Sequence, residues 1–467
     1  MPADMHTRIR DYASRSGEII REDPGVREAV TGATIAFDQK RLQGYSEVDA
    51  DGWRRWAEGV KSHTLTHLDR YLAGAETQLE ANGAEVHWAA DAAEAREIVM
   101  SLAARHSVKS VVKGKSMVTE EIDLNPALEA AGIEVYETDL GEYILQLLDE
   151  PPSHILGPAI HKSLQQVQEL FTDRLGSEPG GDPDTLARAA RRVLRDAFIQ
   201  SDMGITGGNF LVAETGTVAL IENEGNIRLT TSLPRVHVAV VGIEKLLPRM
   251  ADLSGFLQLT ARAATGQPIG CFVSLIQGPA AHPDDDGPEA VHVVLVDNGR
   301  TDVLAHEHAW EALRCLRCGA CLNACPVYRQ TGGHAYGYVY SGPIGSVLDP
   351  GLLGLHEAMP LPFASSLCGA CEDACPVRIP IPEMLLEWRR EAQEEGLTPW
   401  KERAALKGLA SVATRPGLYR LAGKIGSRLG ATGVARALPM LGEWAADRAL
   451  PQPSRRTFRE LWREGIE

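Results

Sequence analysis

Seven of the eight cysteines in this 467-residue chain lie between Cys315 and Cys375, and their spacing restricts the local fold more than any other feature. They read Cys315-x2-Cys318-x2-Cys321-x3-Cys325-Pro326, followed further on by Cys368-x2-Cys371-x3-Cys375-Pro376. Two-residue gaps bring three thiolates to three corners of one iron–sulfur cube from a single turn of backbone. The three-residue gap and the proline after it direct the last thiolate to a neighbouring cluster.

An internal repeat sharpens this reading. Cys318-Gly319-Ala320-Cys321-x-x-Ala324-Cys325-Pro326-Val327 recurs as Cys368-Gly369-Ala370-Cys371-x-x-Ala374-Cys375-Pro376-Val377. Laying the copies over one another puts Ser365 where Cys315 stands. By the crossing rule, one cluster takes Cys315, Cys318, Cys321 and Cys375. The second takes Cys325, Cys368 and Cys371, and is one thiolate short. Its fourth iron could be bound by Ser365, by solvent or by a partner group, or be missing, which leaves a three-iron cluster. A structural zinc site would want paired knuckles closing on four donors. Disulfides would want an even number of cysteines in a secreted chain. Seven thiols with two Cys-Pro endings fit neither. The eighth, Cys271 in Ile269-Gly270-Cys271-Phe272-Val273, is expected to be a small buried apolar residue.

The length predicts two or three domains, and 44% hydrophobic content is ample for their cores. No run of eighteen apolar residues occurs, so no spanning helix is expected. The segment Met1 to Arg8 lacks the apolar core of a signal peptide, and clustered thiols point to a reducing cytoplasm. A net charge of −16 argues against general nucleic-acid affinity. The charge is uneven: Lys401 to Glu467 holds thirteen Lys and Arg against six Asp and Glu. A basic tail on an acidic body reads as a docking feature, for a partner protein before an acidic lipid surface.

Residues 1–65 are expected to form a helical arm, with Trp53, Trp56 and Val60 at helical spacing. From 66 to 300 helices and short strands alternate, which implies a mostly parallel sheet with covering helices. Strands are predicted at Glu85–Ala89, Val108–Val112, Ile133–Tyr136, Phe210–Val212, Val218–Ile221, Val236–Val241 and Val291–Val296. Asp91, with Glu94 three residues on, predicts a capped helix carrying Ala95, Ile98, Val99 and Leu102 on one face. A long helix is predicted over Thr185–Phe198 and another over Glu383–Glu395. From about 398, Leu406, Leu409, Leu418, Leu421, Ile425 and Leu429 predict amphipathic helices broken at Pro416. Glu214 before Thr215-Gly216-Thr217, and Lys113-Gly114-Lys115-Ser116 after a strand, are candidate anion-binding turns. Neither matches a nucleotide fingerprint, and short glycine turns are more often only turns. The fourteen histidines show no metal spacing, and His154 and His161 read as ordinary loop or cap residues.

Several stretches resemble the lactate utilisation protein B family: Val112 to Ile122, Glu137 to Ile144, Glu150 to Ile155, Gly207 to Asn226, the seven-cysteine module and Ser454 to Trp462. The resemblance implies an α/β LUD domain over 66–300, similar to the sugar-phosphate isomerase and CoA-transferase fold group. It is followed by an all-α two-cluster ferredoxin module over 304–390 and a helical C-terminal tail over 391–467. It implies two [4Fe-4S] clusters on the same seven cysteines and no assigned catalytic residue. The function it implies is electron transfer in the oxidation of L-lactate to pyruvate. The partners would be a cysteine-rich companion subunit and a smaller LUD subunit, in the cytoplasm or peripheral to the inner face of a membrane. An enzyme acting on a small carbonyl or hydroxy acid through the LUD domain, with structural or sensory clusters, is the alternative.

Overall fold

The computed structural model describes residues 6–282, 284–430 and 454–465. The chain divides into two compact units, Met1–Glu391 and Ala392–Glu467.

The first unit is built on ten strands: β1 (Glu85–Ala89), β2 (Ser110–Lys113), β3 (Glu134–Glu137), β4 (Met203–Thr206), β5 (Phe210–Val212), β6 (Thr217–Glu222), β7 (Val236–Gly242), β8 (Leu246–Leu247), β9 (Phe272–Ile276) and β10 (Ala290–Val296). Six of them form a wholly parallel sheet in the order β1-β10-β7-β4-β2-β3. The other four form a small sheet, β8-β5-β6-β9, in which β5-β6 and β6-β9 run antiparallel. Strands buried on both faces read as near-continuous apolar runs, and β7 and β10 are valine-rich, each interrupted by one buried histidine, His237 or His292. Val236, Val238 and Val240 pack with Ala95, Val99, Leu102, Leu124 and Leu128 of the helices on one side. Ala239 and Val241 face the other way, onto Leu68, Leu72, Leu79 and the small sheet.

Local signals account for the helix ends. Asp91 accepts the Glu94 amide at 2.9 Å while Glu94 accepts the Ala90 amide at 2.7 Å, and the helix runs Ala92–Arg105. Asp182 and Pro183 open the long helix Pro183–Gln200. Gly204 in β4 has no room for a side chain, since a Cβ there would meet the Thr230 carbonyl at 1.9 Å. The helix Asn226–Ser232 therefore lies directly against this strand.

The order of the strands places a site. From β2 the chain moves outward to β3, then returns across β2 to continue at β4. Open α/β sheets bind ligands at the carboxyl ends of the strands where the order reverses in this way. Here those ends are Gly114-Lys115-Ser116 after β2 and Gly207-Gly208-Asn209 after β4.

One expectation fails in the small sheet. Cys271 is exposed, because it precedes β9, an edge strand whose residues are exposed or half-buried. Its amide donates to Asn223 Oδ1 at 3.0 Å.

From Trp310 to Glu394 the regular elements are helices. The last, Ile381–Glu394, buries Met384, Leu385 and Trp388, and the Trp388 indole donates to the Val347 carbonyl. At the other end of the chain, helices Tyr12–Glu22, Pro24–Ser46 and Ala50–Thr66 pack on this cysteine-bearing region. Thr31 donates to the Arg329 carbonyl, and Asp38 pairs with Arg329 at 3.2 Å.

The second unit pairs helices Trp400–Ala413 and Pro416–Gly430, with Pro416 at the first helical position, and adds Phe458–Arg463. Leu406, Leu409, Leu418, Leu421 and Ile425 are exposed. The basic residues between 431 and 453 lie outside the described residues, as does the side chain of Leu429. Among the described residues no helix is long and apolar enough to cross a membrane.

Candidate functional site

The cysteine repeat is a repeat in three dimensions. Gly319 and Gly369 both adopt left-handed backbone (φ 74° and 83°) and start matching short helices, Ala320–Ala324 and Ala370–Ala374, which pack on each other. Two positions before each glycine, Arg317 and Leu367 also have positive φ (59° and 55°). The Arg317 amide donates to Cys315 Sγ at 3.3 Å, and the Leu367 amide donates to Ser365 Oγ at 3.1 Å. Ser365 thus occupies the same turn as Cys315, with oxygen in place of sulfur.

Cys315, Cys318, Cys321 and Cys375 line one small cavity with Leu316, Ile344 and Ile379. Cys325, Cys368 and Cys371 form a neighbouring group, of which only Cys368 is exposed. Burial pushes the thiols of Cys318, Cys321, Cys325, Cys371 and Cys375 upward, Cys375 to about 11 and Cys371 to about 12, with Cys325 adding to the shift at Cys371. Such thiols stay protonated at neutral pH unless a metal takes the proton's place. No three of the seven sulfurs lie within 4.8 Å of one another. A tetrahedral zinc ion with bonds of about 2.3 Å would draw its sulfurs to about 3.8 Å. The donors are all thiols, their cavity is apolar, and they stand too far apart for one ion, so the set fits a polynuclear iron–sulfur cluster. Amides of Tyr328 and Ile379 reach Cys325 and Cys375 sulfur at 3.5 and 3.4 Å, contacts of the kind that tune cluster potentials.

The N-terminal helices hold the cysteine loops. Arg54 donates to the Cys375 and Glu372 carbonyls at 2.9 and 3.0 Å, and Glu58 pairs with Arg314 and Arg378. From the sheet side comes the Glu150–Ile155 loop with the turn that follows it; His154 and His161 are loop residues here, but buried ones (2% and 5% exposed). His154 pairs with Asn323 at 3.0 Å, and burial lowers its pKa to about 4, so it is neutral. Tyr328 donates to the Ser153 carbonyl at 2.5 Å.

A buried ion network crosses from the sheet to the cysteines. Arg300 makes a two-pronged pair with Glu121 at 2.8 Å and a third bond to Glu244 at 2.6 Å. Glu244 also meets Arg317 at 3.4 Å, and Arg317 lies over the Tyr340 ring. Above this network opens a cavity of about 290 Å³, lined by Lys115, Asp139, Gly207, Gly208, Lys245 and Arg317 among others. Cys318 lines both this pocket and the four-thiol cavity.

Of the two candidate turns, only one belongs here. Lys115 reaches the pocket, pairing with Asp139 at 3.3 Å, while Lys113 is buried beneath between Glu137 and Glu120. Glu214 instead accepts the Met250 amide at the start of helix Met250–Thr265. Its Thr-Gly-Thr turn packs on helix Leu68–Ala81, where Gly216 touches Leu79. Periodicity also hid Glu85, His87 and His292, whose donor atoms gather on neighbouring β1 and β10. Arg105 already holds the Glu85 carboxylate at 2.7 Å, and burial keeps both histidines neutral.

Residues 72–296 match the LUD domain, residues 311–379 the 4Fe-4S dicluster domain, and residues 389–466 the C-terminal region of lactate utilisation protein B. Fold and site together define an iron–sulfur protein in which a parallel α/β LUD domain is joined to a dicluster module. Lactate utilization protein B of Bacillus pumilus (strain SAFR-032) is 42% identical over 98% of either chain. That of Shouchella clausii (strain KSM-K16) is 43% identical over 95% of this chain and 96% of its own, and that of Geobacillus sp. (strain WCH70) 42% over 94% of each. The chain belongs to the lactate utilisation protein B family.

Proposed function

We propose that this chain is the electron-transfer subunit of an assembly that oxidises L-lactate to pyruvate. The reading rests on one observation above the rest: seven thiols in two adjoining groups, on a chain aligned end to end with relatives named Lactate utilization protein B. Cys315, Cys318, Cys321 and Cys375 would hold one [4Fe-4S] cluster. Cys325, Cys368 and Cys371 would hold a second, with Ser365 the fourth donor by repeat symmetry, or with a [3Fe-4S] core. Such groups supply single-electron carriers, and the protein's part is to position them and set their potentials. Family resemblance gives the partners as a cysteine-rich subunit and a smaller LUD subunit, in the cytoplasm or at the inner face of a membrane. It also gives the LUD domain a fold similar to the sugar-phosphate isomerase and CoA-transferase group.

Cys318→Ser tests the assignment in anaerobically purified protein. Roughly half of the bound iron should be lost, together with lactate-dependent electron flow through the reconstituted assembly. Full iron and full electron transfer in this variant would refute it.

A further inference from the structure

The cavity at the strand ends is built for an anion, and it adjoins the four-thiol site. Lys245, in the turn after β7, lines it and is only 6% exposed. Its ammonium has no hydrogen-bond or ion-pair partner among the described residues. Arg317 Nη1 is likewise buried and unpartnered. The nearest anion, Glu244, is already engaged by Arg300 and Arg317. The buried cations here are Arg300, Arg317, Lys245 and Lys61, and the buried carboxyls beside them are Glu121, Glu244 and Asp349, none of them within ion-pair distance of Lys245. A buried charge without a partner is costly, and a negative ligand would offset that cost.

The rest of the lining narrows the class. Ile155, Leu156, Leu220, Ile227 and Ala264 give an apolar floor suited to a short carbon skeleton. Asp139 and Glu224 stand on the wall near Lys115. Carboxylates there repel a dianionic phosphate yet accept a hydrogen bond from a hydroxyl. The volume, about 290 Å³, sits at the lower edge of small-molecule pockets.

We infer that this pocket binds a small organic carboxylate, a 2-hydroxy or 2-oxo acid, with its carboxylate on Lys245 and Arg317 and its carbon skeleton beside Cys318. The choice of acid rests on the lactate-utilisation reading; the carboxylate site itself does not. The site would set a hydroxy or oxo acid against the thiol group nearest the LUD domain.

The test is calorimetric titration of the anaerobic, iron-loaded full-length protein with L-lactate, pyruvate and inorganic phosphate. Saturable binding of L-lactate or pyruvate near or below about 1 mM is expected, with phosphate weaker. Lys245→Met should weaken it between about tenfold and hundredfold at unchanged iron content. Glu224→Trp, which keeps Lys245 and blocks the mouth from its exposed rim, should abolish it, and serves if Lys245→Met does not fold. The EPR spectrum of the reduced protein should change when the acid binds, and not in Glu224→Trp. No saturable binding of either acid overturns the inference while leaving the electron-transfer role intact. Binding unaffected by Lys245→Met, with only iron content or EPR signal altered, assigns that cation to the thiolate charge and overturns it as well. Phosphate binding as tightly as the acids does the same.

Discussion

Glu121, Arg300 and Glu244 show how single residues tie the strand ends of the sheet together, with Arg317 and Tyr340 joining them from the cysteine-bearing region. Glu121 follows β2, Glu244 follows β7, and Arg300 opens the helix after β10. All three side chains are about 1% exposed or less, so each charge depends on the others for solvation. Removing one partner of such a set strands the rest, at a cost of about 3–5 kcal/mol. Glu121→Ala should lower unfolding free energy by that amount in denaturant titrations of the iron-loaded protein. A loss under about 1 kcal/mol, the size of a surface pair, would contradict the account. Glu244 is held by Arg300 and Arg317 in this network, which leaves Lys245 without an ion-pair partner.

At the scale of elements, the helices Pro24–Ser46 and Ala50–Thr66 act as a clamp on the cysteine loops. Arg54→Met frees two carbonyls, at Cys375 and Glu372, and should speed iron loss to a chelator about tenfold under anaerobic conditions. An unchanged rate would make the arm a bystander. This role was not legible beforehand: Trp53, Trp56 and Val60 announce a helix, but nothing local says what it covers. By contrast, the grouping of seven thiols could be read from spacing alone, because three ligands in one turn is a local property. The strands β1, β2, β3, β5, β6, β7 and β10 were legible as short apolar or alternating runs between glycine or polar turns, β2 with its bounds shifted by one or two residues. β4, β8 and β9 were not legible, β4 and β8 being short and β9 a mixed edge strand, and the expectation for Cys271 fails beside β9. The pocket escaped because it depends on which strands are neighbours. Lys115 and Gly207 are far apart in sequence, and only the crossing from β3 over β2 to β4 brings them together.

The molecule as a whole consists of a parallel sheet whose ligand crevice opens toward a thiol-rich helical module, and a second, basic unit with exposed leucines. Ile155, Leu316, Arg317 and Cys318 line both the crevice and the four-thiol cavity, and Cys318 is the cluster-ligand candidate among them. Small-molecule recognition and electron transfer are thus placed next to each other in one chain. The most direct measurement is an iron and sulfide count on oxygen-free protein, followed by EPR before and after L-lactate in the presence of the companion subunits. The account predicts about seven or eight irons per chain and a reduced-cluster signal that appears only with lactate. Colourless protein without iron, or zinc on those sulfurs, would contradict it.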